Sequence, residues 1–230
     1  MLQTVNLTKQ YGENYALKNL NLSVAQGEIF CLLGQNGAGK TTTINLFLGL
    51  ISSSSGQALI NGVEVNPKTD TQKMIAYIPE VVQLYGNMNG IENIQFFSQL
   101  AGYNYTSAEL EKLLIKAGLK KKDHLKILDS YSKGMRQKVG IAIALSKNAD
   151  YIFMDEPISG LDPKAAMEFT QICKELSQEG KTIFMATHDI FNAVNVGTQI
   201  GIMKEGELVH MTPTESINAN QLQDIYLKTI

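Results

Sequence analysis

The residues with the clearest chemical meaning form one run in the first fifth of the chain. From Gly34 to Thr41 the sequence reads GQNGAGKT, which matches the glycine-rich pattern GxxxxGK[ST]. Glycines let the backbone curl so that successive N–H groups face a phosphate, and Lys40 adds a compact positive charge. Thr41 offers a hydroxyl to Mg²⁺. We therefore expect a nucleoside triphosphate to be bound by Gly34, Gln35, Asn36, Gly37, Ala38, Gly39, Lys40, Thr41 and Thr42.

Two adjacent carboxylates supply complementary chemistry. Asp155 and Glu156 follow the apolar run Tyr151 to Met154, which indicates a buried strand. Adjacent side chains that leave a strand point in different directions, so Asp155 can face the metal while Glu156 reaches an attacking water. We interpret Glu156 as a general base. The alternative, that this pair caps the next helix, is weakened by Pro157 and by the apolar residues upstream.

A histidine follows a third apolar run. Thr182 to Ala186 predicts another buried strand, and Thr187 and His188 come directly after it. A lone histidine is more often structural than catalytic. Because open α/β sheets collect ligands at the carboxyl ends of their strands, this position favours a catalytic His188 beside Lys40 and Asp155.

These residues require a particular set of elements to position them. The apolar runs that begin at Ile29, Tyr151 and Thr182 alternate with segments of helical period, which predicts an α/β fold with a mostly parallel sheet. Residues 2–24 alternate like antiparallel strands. From about Asn87 to Lys147 the pattern is helical, with capping-box spacing at Thr106 and Glu109, and indicates a helical insert.

Composition excludes several classes of protein. The 230 residues are 44% hydrophobic and 18% charged, which rules out intrinsic disorder, and the two cysteines do not make a disulfide scaffold. A net charge of −2 gives no overall attraction to nucleic acid. We find neither an apolar stretch long enough to span a membrane nor a signal peptide, so a cytoplasmic location is the default expectation.

Two further motifs point to a family. Tyr131 to Gln137 reads YSKGMRQ upstream of Asp155, and Ser159 to Asp162 reads SGLD after Glu156. Together with the phosphate-binding run, they resemble the signature and D-loop of ATP-binding cassette (ABC) ATPases. The signature departs from the usual form at Lys133 and Met135 but keeps Ser132 and Gly134. This form resembles the ABC-2, exporter-type branch.

The resemblance implies an architecture and a mode of assembly. It implies one ABC ATPase domain over residues 1–230 with a RecA-like P-loop NTPase core, in which residues 1–86 and 148–230 form the α/β core and residues 87–147 the helical subdomain. ATP and Mg²⁺ would be bound in a head-to-tail dimer, either a homodimer or a heterodimer. Ser132 and Gly134 would contact the terminal phosphate across the interface, with Asp162 in the D-loop.

The resemblance also assigns roles to single residues. Tyr11 would stack on adenine, with Tyr15 as the alternative, and His188 would be the switch residue. The family commonly has glutamine at the end of the strand that reads AYIPE, where this chain carries Glu80. We expect Glu80 to reach the metal or its water, and Gln83 is the alternative.

The function implied is an ATP-hydrolysing subunit that powers export through a separate integral membrane permease. The permease would dock between the Glu80 loop and the helical insert, and would hold the chain at the inner face of the cell membrane. An alternative is a cassette ATPase that serves a soluble machine acting on nucleic acid or ribosomes, although the charge gives no reason to expect nucleic acid. A binding module without turnover would lack the base that Glu156 provides.

Overall fold

The computed structural model describes residues 1–229, which form two β-sheets and seven α-helices. The strands are β1 Leu2–Tyr11, β2 Asn14–Val24, β3 Ile29–Gly34, β4 Ser55–Ile60, β5 Val63–Glu64, β6 Ile75–Ile78, β7 Tyr151–Asp155, β8 Thr182–Thr187, β9 Gln199–Lys204 and β10 Glu207–Pro213. The helices are α1 Lys40–Phe47, α2 Gly90–Leu100, α3 Ser107–Lys116, α4 Lys133–Ser146, α5 Pro163–Gln178, α6 Ile190–Val196 and α7 Ala219–Thr229.

The larger sheet carries the candidate site. Its strand order is β10-β9-β3-β8-β7-β6, and all neighbouring pairs are parallel except β9 and β10. The predicted strands β3, β7 and β8 lie side by side in its centre and are almost fully buried, as their unbroken apolar runs require. Parallel pairing brings Gly34, Asp155 and Thr187 to one edge of the sheet.

A smaller antiparallel sheet covers one face of the larger one. Its order is β2-β1-β4-β5, which confirms the expected antiparallel region near the N-terminus. Between the two sheets lies an apolar core in which Phe47 of α1 stacks on Phe153 of β7, with ring centroids 5.4 Å apart. This packing fixes α1, and therefore the loop before it, against the sheet.

Helices α2, α3 and α4 form the predicted insert. Two capping boxes start the first two helices: Asn89 with Glu92, and the predicted Thr106 with Glu109. Each box satisfies backbone N–H groups that would otherwise be unpaired at a helix start. The α/β fold class with its helical insert is confirmed, and the exact division at residues 87 and 147 stays an interpretation. None of the helices formed by residues 1–229 combines the length and apolar character needed to cross a membrane.

Candidate functional site

The glycine-rich run connects β3 to α1, as predicted. Gly37 and Gly39 have φ of +84° and +108°, a region that favours glycine. A Cβ on Gly39 would lie 2.5 Å from the carbonyl oxygen of Ala16, so only glycine fits where the loop passes β2. Helix α1 starts at the next residue, which places its N-terminus and positive dipole end at the loop.

Lys40 lies inside this loop and is almost fully buried. Its Nζ donates hydrogen bonds to the carbonyl oxygens of Gly34 and Gln35, at 2.6 and 3.2 Å, and lies 3.9 Å from Oε1 of Glu156. Burial lowers the pKa of Lys40, while the Glu156 and Asp155 carboxylates act in the opposite direction. A cation whose hydrogen bonds go to carbonyl oxygens is a ready ligand for phosphate oxygens.

Asp155 and Thr41 meet on the other side of the loop. Thr41 Oγ1 donates to Asp155 Oδ2 at 2.8 Å, so the hydroxyl and the carboxylate predicted to serve a metal are adjacent. The pKa of Asp155 is raised, first by burial and then by the negative charges of Glu156 and Glu80; Thr41 and Lys40 oppose the shift. Three carboxylates therefore crowd a space that favours an added cation.

Glu156 is held in an unusual backbone conformation, with φ of +44°. Its backbone N–H donates to the carbonyl of Ala186 on β8, which keeps the residue at the strand ends. Its carboxylate has contacts on both oxygens: His188 Nδ1 lies 2.9 Å from Oε1, while Thr187 Oγ1 and the His188 backbone N–H each donate to Oε2 at 3.3 Å. No motif in the sequence indicates a role for Thr187, although it directly precedes His188.

These groups surround one cavity of about 230 Å³. It is lined by Gln35, Asn36, Gly37, Gly39, Lys40, Thr41, Thr42, Glu80, Asp155 and Glu156. Glu80 belongs to this lining, whereas Gln83 lines a different cavity beside α4. Gly34 and Ala38 belong to the loop but do not line this cavity. His188 does not line it either, but its Nδ1 contacts Glu156, which does.

The other predicted contacts lie apart from this cavity. Ser132 is the N-cap of α4 and accepts a hydrogen bond from the Met135 N–H, and Asp162 caps α5 in the same way by accepting from Ala165. A Cβ on Gly134 would lie 3.2 Å from the Ala165 side chain, so the two helix starts are in contact. Ser132, Gly134 and Asp162 line a separate cleft of about 200 Å³.

Tyr11 and Tyr15 flank the turn between β1 and β2. Their exposed fractions are nearly equal, 51% and 50%, so burial does not distinguish them. Lys9 Nζ lies 4.7 Å from the centroid of the Tyr11 ring, which leaves that ring at the surface with a cation over it. Neither tyrosine lines the phosphate-loop cavity.

One element that supports the loop is not evident from the sequence. The turn between β9 and β10 packs on it: the Gly206 N–H donates to the Ala38 carbonyl at 3.0 Å, and the Gly206 carbonyl accepts from Lys18 of β2 at 2.8 Å. A single glycine thus joins the phosphate loop to the antiparallel sheet. Its only local signal is the Glu205-Gly206 turn dipeptide, which does not reveal its neighbours.

Comparison with known proteins agrees with this geometry. A family profile described as "ABC transporter" matches residues 17–159. The bacitracin transport ATP-binding protein BcrA of Enterococcus faecalis is 37% identical over 224 residues, which are 96% of this chain and 70% of that protein. The lantibiotic transport ATP-binding protein SrtF of Streptococcus pyogenes is 33% identical over 209 residues, 91% of this chain and 89% of that protein.

Solved structures show the same architecture. A dimeric post-hydrolysis state of the ATP-binding cassette MJ0796, bound to ADP and phosphate, superposes with a TM-score of 0.82 at 28% identity and covers 93% of this chain and 99% of that one. The profile spans more than half of the chain, and BcrA and SrtF are similar over most of its length. The chain therefore belongs to the ABC transporter family, in which it is an ABC-type ATPase of the exporter-type branch.

Proposed function

We propose that ATP is hydrolysed in the cavity of the phosphate loop with Glu156 as the general base. The observation that carries this proposal is the set of contacts on the Glu156 carboxylate, whose Oε1 lies 2.9 Å from His188 Nδ1 and 3.9 Å from Lys40 Nζ. A general base must lie within reach of both the water it deprotonates and the group that orients it. Glu156 accepts the proton of the attacking water, and His188 Nδ1 holds the carboxylate in place.

Lys40 and the loop backbone bind the phosphates. Lys40 Nζ donates hydrogen bonds to two main-chain carbonyls of its own loop. Phosphate oxygens carry full charge and form stronger hydrogen bonds with an ammonium group than carbonyl oxygens do. Lys40 therefore exchanges its carbonyl partners for phosphate oxygens when ATP binds.

The donor set also fits Mg²⁺. Thr41 Oγ1 and Asp155 Oδ2 are already adjacent, Glu80 lines the same cavity, and all three offer the oxygen ligands that this ion prefers. Burial and the nearby carboxylates disfavour the charge of Asp155, and a divalent cation relieves that cost. Bound there, the ion neutralises charge on the phosphates.

Tyr11 is the residue we propose for the adenine ring. It is the last residue of β1, half exposed and stacked under Lys9, and a purine can stack on such a ring. Tyr15 is one strand further on and equally exposed. The choice of Tyr11 therefore rests on the family resemblance.

A second cassette completes the site. The phosphate-loop cavity has no lining residue from α4, and Ser132 and Gly134 lie at a separate cleft on the same chain. The start of α4 offers a serine hydroxyl, backbone N–H groups and a helix dipole to an anion. We propose that these groups bind the terminal phosphate held by a partner cassette, and that Asp162 lies at the same interface.

The membrane partner is proposed to dock beside the Glu80 loop. Val81 and Tyr85 are exposed there, and a cavity of about 420 Å³ opens between residues 81–84 and the start of α4. Exposed apolar residues around a groove are typical of an interaction site. The names of BcrA and SrtF, which refer to bacitracin and lantibiotic transport, support an export system whose permease holds this chain at the inner face of the membrane.

Substitution of Lys40 tests the nucleotide site. Lys40→Ala removes the buried ammonium group that lines the cavity, and we expect ATP affinity, measured by titration calorimetry, to fall about tenfold to a hundredfold. Lys9→Ala, which removes an exposed cation outside the cavity, is the control. Equal ATP affinity in the Lys40 variant and the native chain would contradict the assignment.

Copurification tests the partner. The chain, expressed with its neighbouring genes and extracted from membranes with detergent, should recover an integral membrane protein. Val81→Asp should reduce that recovery without changing ATP affinity, because Val81 lies outside the phosphate-loop cavity. If no integral membrane protein is recovered, or if the chain instead binds ribosomes or DNA in a salt-sensitive manner, the transport proposal fails.

A further inference from the structure

Gln137 is a buried polar residue that the proposed chemistry does not use. It lies on α4, on the turn after Ser132 and Gly134, with only 1% of its surface exposed. Its Nε2 donates to the carbonyl oxygen of Glu80 at 3.1 Å and lies 3.5 Å from that of Pro79. Its Oε1 is also buried and has no hydrogen-bond partner within residues 1–229.

Burying the Gln137 amide has a free-energy cost, which indicates that the amide has a specific role. A buried amide oxygen without a partner is unfavourable, and an apolar side chain of similar size would avoid the cost. What only the amide provides is the N–H donor to the Glu80 main chain. The amide donor of Gln137 therefore serves the segment that follows β6.

The packing around Gln137 shows that helix and loop are in direct contact. One turn further along α4, a Cβ added to Gly140 would lie 3.2 and 3.3 Å from the two γ-methyl groups of Val82. The glycine therefore lets the helix approach the Glu80 loop, and Gln137 bonds the loop at that approach. A shift of the loop would have to break this bond or carry the helix with it.

We propose that Gln137 is a positioning residue that holds Glu80 in the nucleotide cavity. This inference rests on the proposed role of Glu80 at the metal. Because Gln137 fixes the Glu80 main chain, the carboxylate is kept in the cavity that it shares with Asp155. The same bond ties the helix that begins at Ser132 to that cavity, so the two halves of the dimeric site are linked within each chain.

Gln137→Met tests the proposal, since it keeps the length of the side chain and removes the donor. We expect kcat for ATP hydrolysis to fall about tenfold and the Mg²⁺ concentration for half-maximal rate to rise several-fold. ATP affinity measured without Mg²⁺ should stay within about twofold of the native value, because the phosphate loop is untouched. Gln171→Met, the same change at an exposed site on α5, is the matched control and should alter none of these values.

A double-mutant cycle separates positioning from simple stabilisation. If Gln137 acts through Glu80, Gln137→Met should cause no further loss of kcat beyond about twofold in a Glu80→Ala background. A full tenfold further loss would overturn the inference and leave the role of Glu80 intact. If Glu80→Ala alone leaves the Mg²⁺ dependence unchanged, the proposed role of Glu80 fails instead. Gln137→Leu repeats the cycle if thermal unfolding shows the methionine variant to be misfolded.

Discussion

Asp155 is a carboxylate in a place that disfavours its charge. Its pKa is raised by burial and by two neighbouring carboxylates. A raised pKa in the folded state means that the native chain holds the proton more tightly than the unfolded chain does. The proton on Asp155 therefore stabilises the folded protein fully at pH values below the ordinary carboxylate pKa. This stabilisation is lost as the pH rises through the raised pKa of Asp155.

Asp155→Asn should consequently make the nucleotide-free chain more stable while stopping hydrolysis. The amide has nearly the same shape, can still accept the Thr41 hydroxyl and carries no charge to bury. We expect the melting temperature at neutral pH to rise by about 2 °C and Mg²⁺-dependent hydrolysis to be lost. Differential scanning calorimetry, with a parallel phosphate-release assay, measures both quantities.

The control is the same change at the surface. Asp150→Asn removes an exposed carboxylate that pairs with Lys181 at 3.3 Å, so its melting temperature should fall slightly or stay constant. A lower melting temperature for Asp155→Asn than for Asp150→Asn would show that the charge of Asp155 does not destabilise the chain.

Residue types and their order along the chain were enough to predict which side chains meet at the sheet edge. Lys40, Asp155 and Glu156 were inferred from motif spacing and strand ends, and they line one cavity. The left-handed backbone of Glu156 and the carbonyl partners of Lys40 were not predicted. Both depend on how neighbouring strands pack, which no local pattern records.

At the scale of elements, the turn between β9 and β10 is the part of the site that the sequence did not reveal. The apolar runs of β3, β7 and β8 predicted their strands correctly because burial on both faces leaves a continuous signal. The bond from Gly206 to Ala38 joins residues far apart in the chain. It exists only because β9 pairs with β3, a tertiary contact.

Gly206→Ala tests whether this turn shapes the nucleotide site. The added Cβ would lie 2.9 Å from the Ala16 carbonyl oxygen, at a φ of +84°, so the turn must shift and pull on its bond to Ala38. We expect ATP affinity to fall about tenfold, because the loop backbone no longer keeps its preorganised form. Fluorescence titration with a labelled ATP analogue gives the affinity.

Gly180→Ala provides a matched comparison for backbone strain. Gly180 has a φ of +88° but open space around its Cβ position, so alanine there costs stability through the backbone alone. Both variants should melt at lower temperature, and only Gly206→Ala should bind ATP more weakly. Equal affinities in the two variants would mean that the turn serves the fold and not the site.

At the scale of the whole molecule, each chain carries half of two sites in the proposed dimer. The phosphate-loop cavity and the cleft with Ser132, Gly134 and Asp162 are lined by different elements and share no residue. A related cassette, MJ0796, is dimeric with ADP and phosphate bound. In the proposed dimer, ATP is a ligand whose binding favours association of the two chains, and its cleavage removes contacts that hold them together.

Glu156→Gln should uncouple these two events. The amide cannot accept a proton as the carboxylate does, so hydrolysis stops, while Lys40 and the phosphate loop still bind ATP. Removing one of the carboxylates that crowd the cavity also lowers the charge repulsion with the triphosphate. With ATP and Mg²⁺, size-exclusion chromatography with light scattering should show a stable dimer for this variant and a monomer without nucleotide.

Lys40→Ala in the same background should return the chain to monomer, because the dimer depends on bound ATP. If the single variant remains monomeric at saturating ATP, both alone and with its membrane partner, the two half-sites of this chain do not combine across a dimer interface.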